Sequence, residues 1–339
     1  MTKTCPKGNK AIITYIVFLL AIPMTLLCGC DTGASAPNKN ALEVQAGLII
    51  QQALADGSPQ VRANAIEVAA GTNERQFMPA IQRLLRDDFV PVRFAAAVAI
   101  GDTRYKAAKN DVAQLLKDSD ENIRLAAGYA TYKLGAARGL EPIRKSITSQ
   151  DQRARANAAF LLGKTDDKKV LPLLYEAIRD ETSDDRVRLN SVEAIARLGD
   201  EQIYQKLWAM LISVYADDRV CGIRAMGALG TTQAKDSLLT MLKDNLPEVR
   251  LVAAEQLGGL GDTAGEKDVL DALTQGISAA QDQEGRERIQ TLAALAIGQI
   301  RTPALKKFLP ELLKNESHFV RLAAANAVFK SAAGDNIGR

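Results

Sequence analysis

The chain has 339 residues, 47 % apolar and 24 % charged, with aromatics at only 5 %. That is the composition of a foldable chain whose apolar content is mostly small, alanine above all, which favours close helix–helix packing. The net charge of +3 comes from Lys3, Lys7 and Lys10; residues 31–339 hold 40 basic and 40 acidic side chains. A neutral body without a basic run lacks the electrostatic footprint of a nucleic-acid binder.

Residues 1–10 are polar and carry those three lysines, and residues 11–28, AIITYIVFLLAIPMTLLC, are apolar and uncharged. A basic start followed by an apolar run is the pattern of a secretory leader. It ends in Leu27-Cys28-Gly29-Cys30, which resembles the bacterial lipoprotein lipobox, with Cys28 in place of the commoner Ala, Ser or Thr. The resemblance implies cleavage after Gly29, giving a signal peptide at 1–29 and a lipid on Cys30. Several acyl chains hold a protein on a bilayer durably where one does not. Two other readings compete: a Cys-x-Cys metal or redox pair, and an uncleaved anchor, for which 18 apolar residues just suffice. Either anchored reading leaves the rest of the chain facing the periplasm or cell exterior, because the lysines stay inside. Asp31 resembles the inner-membrane retention signal of enteric-type lipoproteins, and the choice of membrane stays open. Residues 30–41 read as a flexible tether.

From residue 42 to 334 one template recurs. SPQVRANAIEVAAG (58–71), FVPVRFAAAVAIGD (89–102), ENIRLAAGYATYKLG (121–135) and HFVRLAAANAVFK (318–330) are four of nine copies. Their Arg position falls at Arg62, Arg93, Arg124, Arg155, Arg188, Cys221, Arg250, Gln290 and Arg321. Each copy is an amphipathic helix ended by glycine, and a second helix lies between copies. Pro79, Pro172 and Pro303 fall at starts of those second helices, whereas Pro310 lies deeper and should kink its helix. The fold class is therefore all-α, an α-solenoid of nine stacked helix pairs with a tail at 335–339.

The Val-Arg, Ala-Ala and Leu-Gly signature resembles HEAT repeats in the short form known from phycobilin lyase subunits. In that family the Val-Arg helix lines the concave face, and an Asp six residues earlier joins the Arg in a ladder. The resemblance puts that ladder at Asp56 and Arg62, Asp87 and Arg93, Asp118 and Arg124, and Asp244 and Arg250, weakening at Cys221 and Gln290.

No chemistry stands out. His318 is the one histidine, expected in a solvated turn, and Cys221 is the one cysteine beyond Cys30. No His/Cys cluster offers metal ligands and no triad forms, so the expectation is no enzyme, no metal, no cofactor and no small-molecule substrate. A carboxylate calcium site in RDETSDDR (179–186) competes with a plain acidic turn. Cys221 is expected buried, with a reactive thiol as the alternative.

The expected activity is binding of a protein partner by a membrane-anchored scaffold; the alternative is a subunit assisting a chromophore lyase or protein-modifying enzyme. The expected partner surface is an apolar stripe of Phe94, Val98, Leu125, Tyr129 and Phe160, set against the alternative that these residues only pack between helices. A second candidate is the long polar insertion 274–287. The last helix has no cap after it, so Leu322 and Phe329 are expected to be exposed.

Overall fold

The computed structural model describes residues 41–276 and 282–337. The leader, Cys30 and most of the tether lie outside the described residues. Among the described residues there is no strand.

The nine Val-Arg templates form α2 (Pro59–Gly71), α4 (Val90–Asp102), α6 (Glu121–Lys133), α8 (Gln152–Leu162) and α10 (Asp185–Arg197). They continue as α12 (Ala216–Leu229), α14 (Pro247–Gly259), α16 (Gln283–Ile300) and α19 (His318–Ile337). Between them run shorter helices: α3 (Met78–Leu84), α5 (Lys109–Leu115), α7 (Leu140–Ser146), α9 (Leu171–Arg179), α11 (Tyr204–Leu211), α13 (Thr232–Met241) and α15 (Glu266–Asp271). Pro79 and Pro172 sit in the first turns of α3 and α9 as expected. Pro310 breaks its helix outright, leaving α17 (Pro303–Lys306) and α18 (Leu309–Leu312) as single turns. A mid-helix proline removes one backbone donor and clashes with the preceding turn.

The template helices pack side by side, each on the next. Their flanks are alanine-rich, and Ala96, Ala97, Ala126, Ala127, Ala158 and Ala159 are buried. Gly163 permits a close approach: a Cβ there would stand 2.6 Å from Ala194. The intervening helices carry Leu, Ile, Tyr and Trp and touch one another far less. Thin helices inside and bulkier ones outside make each unit a wedge, and wedges curve the array inward.

The curvature goes to completion. α1 (Ala41–Leu54) packs on α2, as each outer helix packs on the template helix after it, and also on α19, beside which the ninth unit has no outer helix of its own; α19 also packs on α2. Units 1 and 9 are neighbours and the array of 41–337 closes on itself. Phe329 is therefore covered, its ring edge-on to Phe77 at 6.0 Å and 87°. Leu322 is buried too. The exposed end expected from sequence does not exist.

Two further expectations change. The sixth ladder Arg is Arg219, not Cys221. Its Nε donates to Asp244 Oδ2 at 2.7 Å and its Nη1 to the Ser213 carbonyl at 3.0 Å. The insertion at 274–287 is only partly a loop, because α16 starts at Gln283 with Asp282 Oδ1 accepting from Gly285 N at 2.7 Å.

Candidate functional site

The Asp and Arg side chains form a ladder whose ion pairs tie one unit to the next. In six units the ladder Arg donates to the backbone carbonyl of the residue six before it, as Arg93 Nη1 does to Asp87 O at 2.8 Å, while Arg155 reaches the Ile147 carbonyl and Arg188 that of Asp180. The charge of the Arg pairs forward, with the Asp of the next unit. Arg62 Nε meets Asp87 Oδ2 at 2.8 Å, and Arg93 Nε meets Asp118 Oδ2 at 3.1 Å. Asp87 also accepts from its own turn at Phe89 N. Burial would raise its carboxyl, but the hydrogen bonds from Arg62 and Phe89 N and the charges of Arg62 and Arg93 together hold it below the usual range.

The rungs vary. Arg155 pairs with Asp180 at 2.8 Å. Arg124 donates to the carbonyls of Asp118 and Ser119. Arg250 meets Asp268 at 3.2 Å. Between units 8 and 9 the ionic pair is replaced by a neutral one, Asn315 Nδ2 donating to Gln290 Oε1 at 3.1 Å. Across the seam Asp56 faces His318, with Nδ1 to Oδ2 at 3.0 Å, so the histidine expected in solvent is half-exposed and engaged.

The acidic turn at 179–186 is spoken for in the same way. Asp180 serves Arg155, and Asp184 caps α10 by accepting from Val187 N at 2.8 Å. Among the described residues no group of three or more His, Cys, Asp or Glu side chains is placed to hold a metal ion. Cys221 is half-buried, and burial pushes its thiol up to about 11, away from the reactive thiolate form.

The stripe proposed for a partner is interior. Phe94, Val98, Leu125 and Tyr129 are buried and Phe160 is partly buried. In a closed array the concave face is the middle of the molecule. Phe94 and Phe160, two units apart, approach with ring centroids at 6.5 Å. The Tyr129 hydroxyl donates to Asp102 Oδ1 at 2.6 Å, and Lys164 Nζ meets Asp102 Oδ2 at 3.1 Å. These residues do what their alternative reading said, packing between helices, and offer no open groove.

The middle holds a second feature that sequence reasoning missed, an alternating series of charges. Glu67 of unit 1 feels Lys164 of unit 4; Glu193 feels Lys164 and Arg224; Glu255 feels Arg224 and Lys330 of unit 9. Burial pushes all three carboxyls above their usual range, against the pull of those bases. It pushes Lys330 down to about 8. Glu67 Oε1, Asn326 Oδ1 and Lys330 Nζ are buried without a hydrogen-bond partner. The signal was in the repeat: Glu67, Glu193, Glu255 and Asn326 share one template position.

With the concave face closed, the accessible features lie on the rims. A shallow cleft of about 410 Å³ opens beside the neutral rung, lined by Arg286, Glu287, Gln290, Asn315 and Glu316 among others. Among the described residues the most exposed of the large apolar side chains are Val214, Tyr215 and Ile212.

A family model for HEAT repeats matches residues 48–131, 79–154, 140–220 and 215–293. Human deoxyhypusine hydroxylase is similar over 78 % of this chain and 98 % of its own, at 19 % identity and a TM-score of 0.38. The CpcE–CpcF complex of phycocyanin lyase from a Nostoc species is similar over 74 % and 94 %, at 18 % identity and a TM-score of 0.40. Importin beta is similar over 85 % of this chain and 48 % of its own, at 13 % identity and a TM-score of 0.36. No curated protein matches the chain.

Proposed function

This chain belongs to the HEAT-repeat family, and on that premise we propose that it is a non-catalytic protein-binding scaffold held outside the cytoplasmic membrane by a lipid on Cys30. The observation that carries the anchor is Leu27-Cys28-Gly29-Cys30 at the end of an uncharged apolar run behind three lysines. No helix among the described residues is long and apolar enough to cross a membrane. The residues between Cys30 and Ala41 reach at most about 35–40 Å when extended. The folded body is then confined near the bilayer, and confinement raises the effective concentration of anything it holds.

Scaffolding is the role this architecture supports best. The ladder carboxylates and arginines are engaged with each other, and the central charges are compensated within the body. Closure moves the partner surface from the concave face to the rims. Cys30→Ala in the native host tests the anchor. The expected result is an unprocessed or released chain without lipid mass. Unchanged processing and membrane attachment would mean an uncleaved anchor and overturn the lipid reading.

A further inference from the structure

We propose that α1 docks on the bilayer, laying the apolar face of Val44 and Leu48 on the interfacial region beside the lipid anchor. The inference rests on the Cys30 reading and deepens it: the body lies on the membrane in a fixed orientation rather than swinging from its tether.

The repeat supplies the comparison. The exposed residues of α1 are Ala41, Val44, Leu48, Gln51 and Gln52, one continuous stripe at helical spacing without a charge. Glu43 is the one charged residue of α1, and it is partly buried. Each intervening helix from α3 to α15 exposes at least one charged residue, Arg83 in α3, Lys109 in α5, Glu176 in α9 and Lys206 in α11 among them. Those helices face water in the ordinary way. In α1 Val44 is 52 % exposed and Leu48 53 %, while Ala46, Ile50 and Ala53 on the opposite side are buried. The core therefore does not need the outer stripe, and water does not explain it.

The size of the stripe and its place in the chain select the occupant. A stable interface between freely diffusing proteins buries about 1,600 Å² in total, which one helix face with two half-exposed apolar side chains does not approach. A surface already held within reach needs far less contact, because the tether supplies the concentration. Ala41 follows Cys30 in the chain by at most about 35–40 Å of extended backbone. The bilayer that takes the lipid is thus the surface nearest to this stripe. An uncharged face can enter the headgroup region without stripping water from an ion, and the apolar area buried there adds to the hold of the acyl chains.

The test reads the contact from the helix itself. The lipidated chain, carrying Cys221→Ser and a fluorophore on Gln51→Cys, is reconstituted in phosphatidylcholine vesicles that contain brominated lipid. Quenching at position 51 is expected to exceed that of the same label on Lys206→Cys. It should fall at least about threefold in a Val44→Ser, Leu48→Ser variant whose lipid mass, vesicle flotation and helical circular dichroism are unchanged. Equal quenching at the two positions, or none at either, in a lipidated chain would sink the docking and leave the anchor intact. Unchanged quenching in the double variant would take the contact away from Val44 and Leu48 and sink this face. Loss of quenching in high salt would assign the contact to surrounding charges. Dependence on the density of protein in the vesicle would assign the face to a second copy. A chain that stays off the vesicles without lipid mass would overturn the Cys30 reading, and this inference with it.

Discussion

The Arg62 guanidinium grips the Asp87 carboxylate with both arms of its fork, Nε to Oδ2 at 2.8 Å and Nη2 to Oδ1 at 2.9 Å. The two residues belong to successive repeats, and their side chains are 13 % and 9 % exposed. Breaking the pair leaves a charge facing a site built to compensate it. Asp87→Asn is expected to cost about 2–4 kcal/mol in urea unfolding. Arg62→Lys should rescue little, because an ammonium cannot reproduce the fork. The Asp87 carboxyl is held low, so its contribution is complete above the ordinary carboxylate pKa and is lost as pH falls through the lowered folded value. Wild type and Asp87→Asn should therefore converge in stability at strongly acidic pH.

The neutral rung invites the reverse experiment. Gln290→Arg or Asn315→Asp alone puts an unpaired charge into a half-buried site and is expected to destabilise by about 1–2 kcal/mol. The double variant should recover most of that loss, with a coupling energy of about 1–3 kcal/mol in a double-mutant cycle. Strict additivity would mean that Gln290 and Asn315 are not positioned as a rung.

Closure depends on α1 and α19, and Phe329 is buried between them. Phe329→Ala should cost about 3–4 kcal/mol. Its distinguishing signature is regional: amide exchange in α1 should accelerate to approach that of a frayed helix. Lost stability with unchanged protection of α1 would argue against the seam. His318→Ala, which removes a half-exposed contact with Asp56, should cost under about 1 kcal/mol.

Lys330 is the central base with the lowered pKa, at about 8 against 10.5 for a free lysine. Between those values the unfolded chain binds more protons than the folded one, so this group's contribution rises with pH and is lost as pH falls through 8. Lys330→Met should remove that dependence. The difference in unfolding free energy between variant and wild type should shrink by up to about 3 kcal/mol from pH 7 to 10.5. A pH-independent difference would show that Lys330 stays charged in the folded protein.

The helices were largely legible because their signals are local. Ala and Val at helical spacing, Pro79 and Pro172 at helix starts and glycines at helix ends each act within a few residues. The ladder was half legible. Its Arg and Asp positions recur by period, but period alone does not say whether an Arg pairs within its unit or with the next. The sixth unit slipped by two residues because Val220-Cys221 imitated the Val-Arg register while Arg219 carried the side chain.

Burial of the stripe was the larger miss. Tyr129 and Phe160 lie on the concave face, and whether that face is a groove or a centre depends on the total curvature of the array. The sequence by itself determined nine helix pairs, their order and, in most units, the position that each residue takes, because those follow from local periodicity. Only the tertiary structure decided that the units close, that α1 packs against the ninth, and that Glu67, Lys164, Glu193, Arg224, Glu255 and Lys330 form one charge series. Closure is the accumulated sum of small wedge angles set by packing between units, and no single repeat encodes that sum.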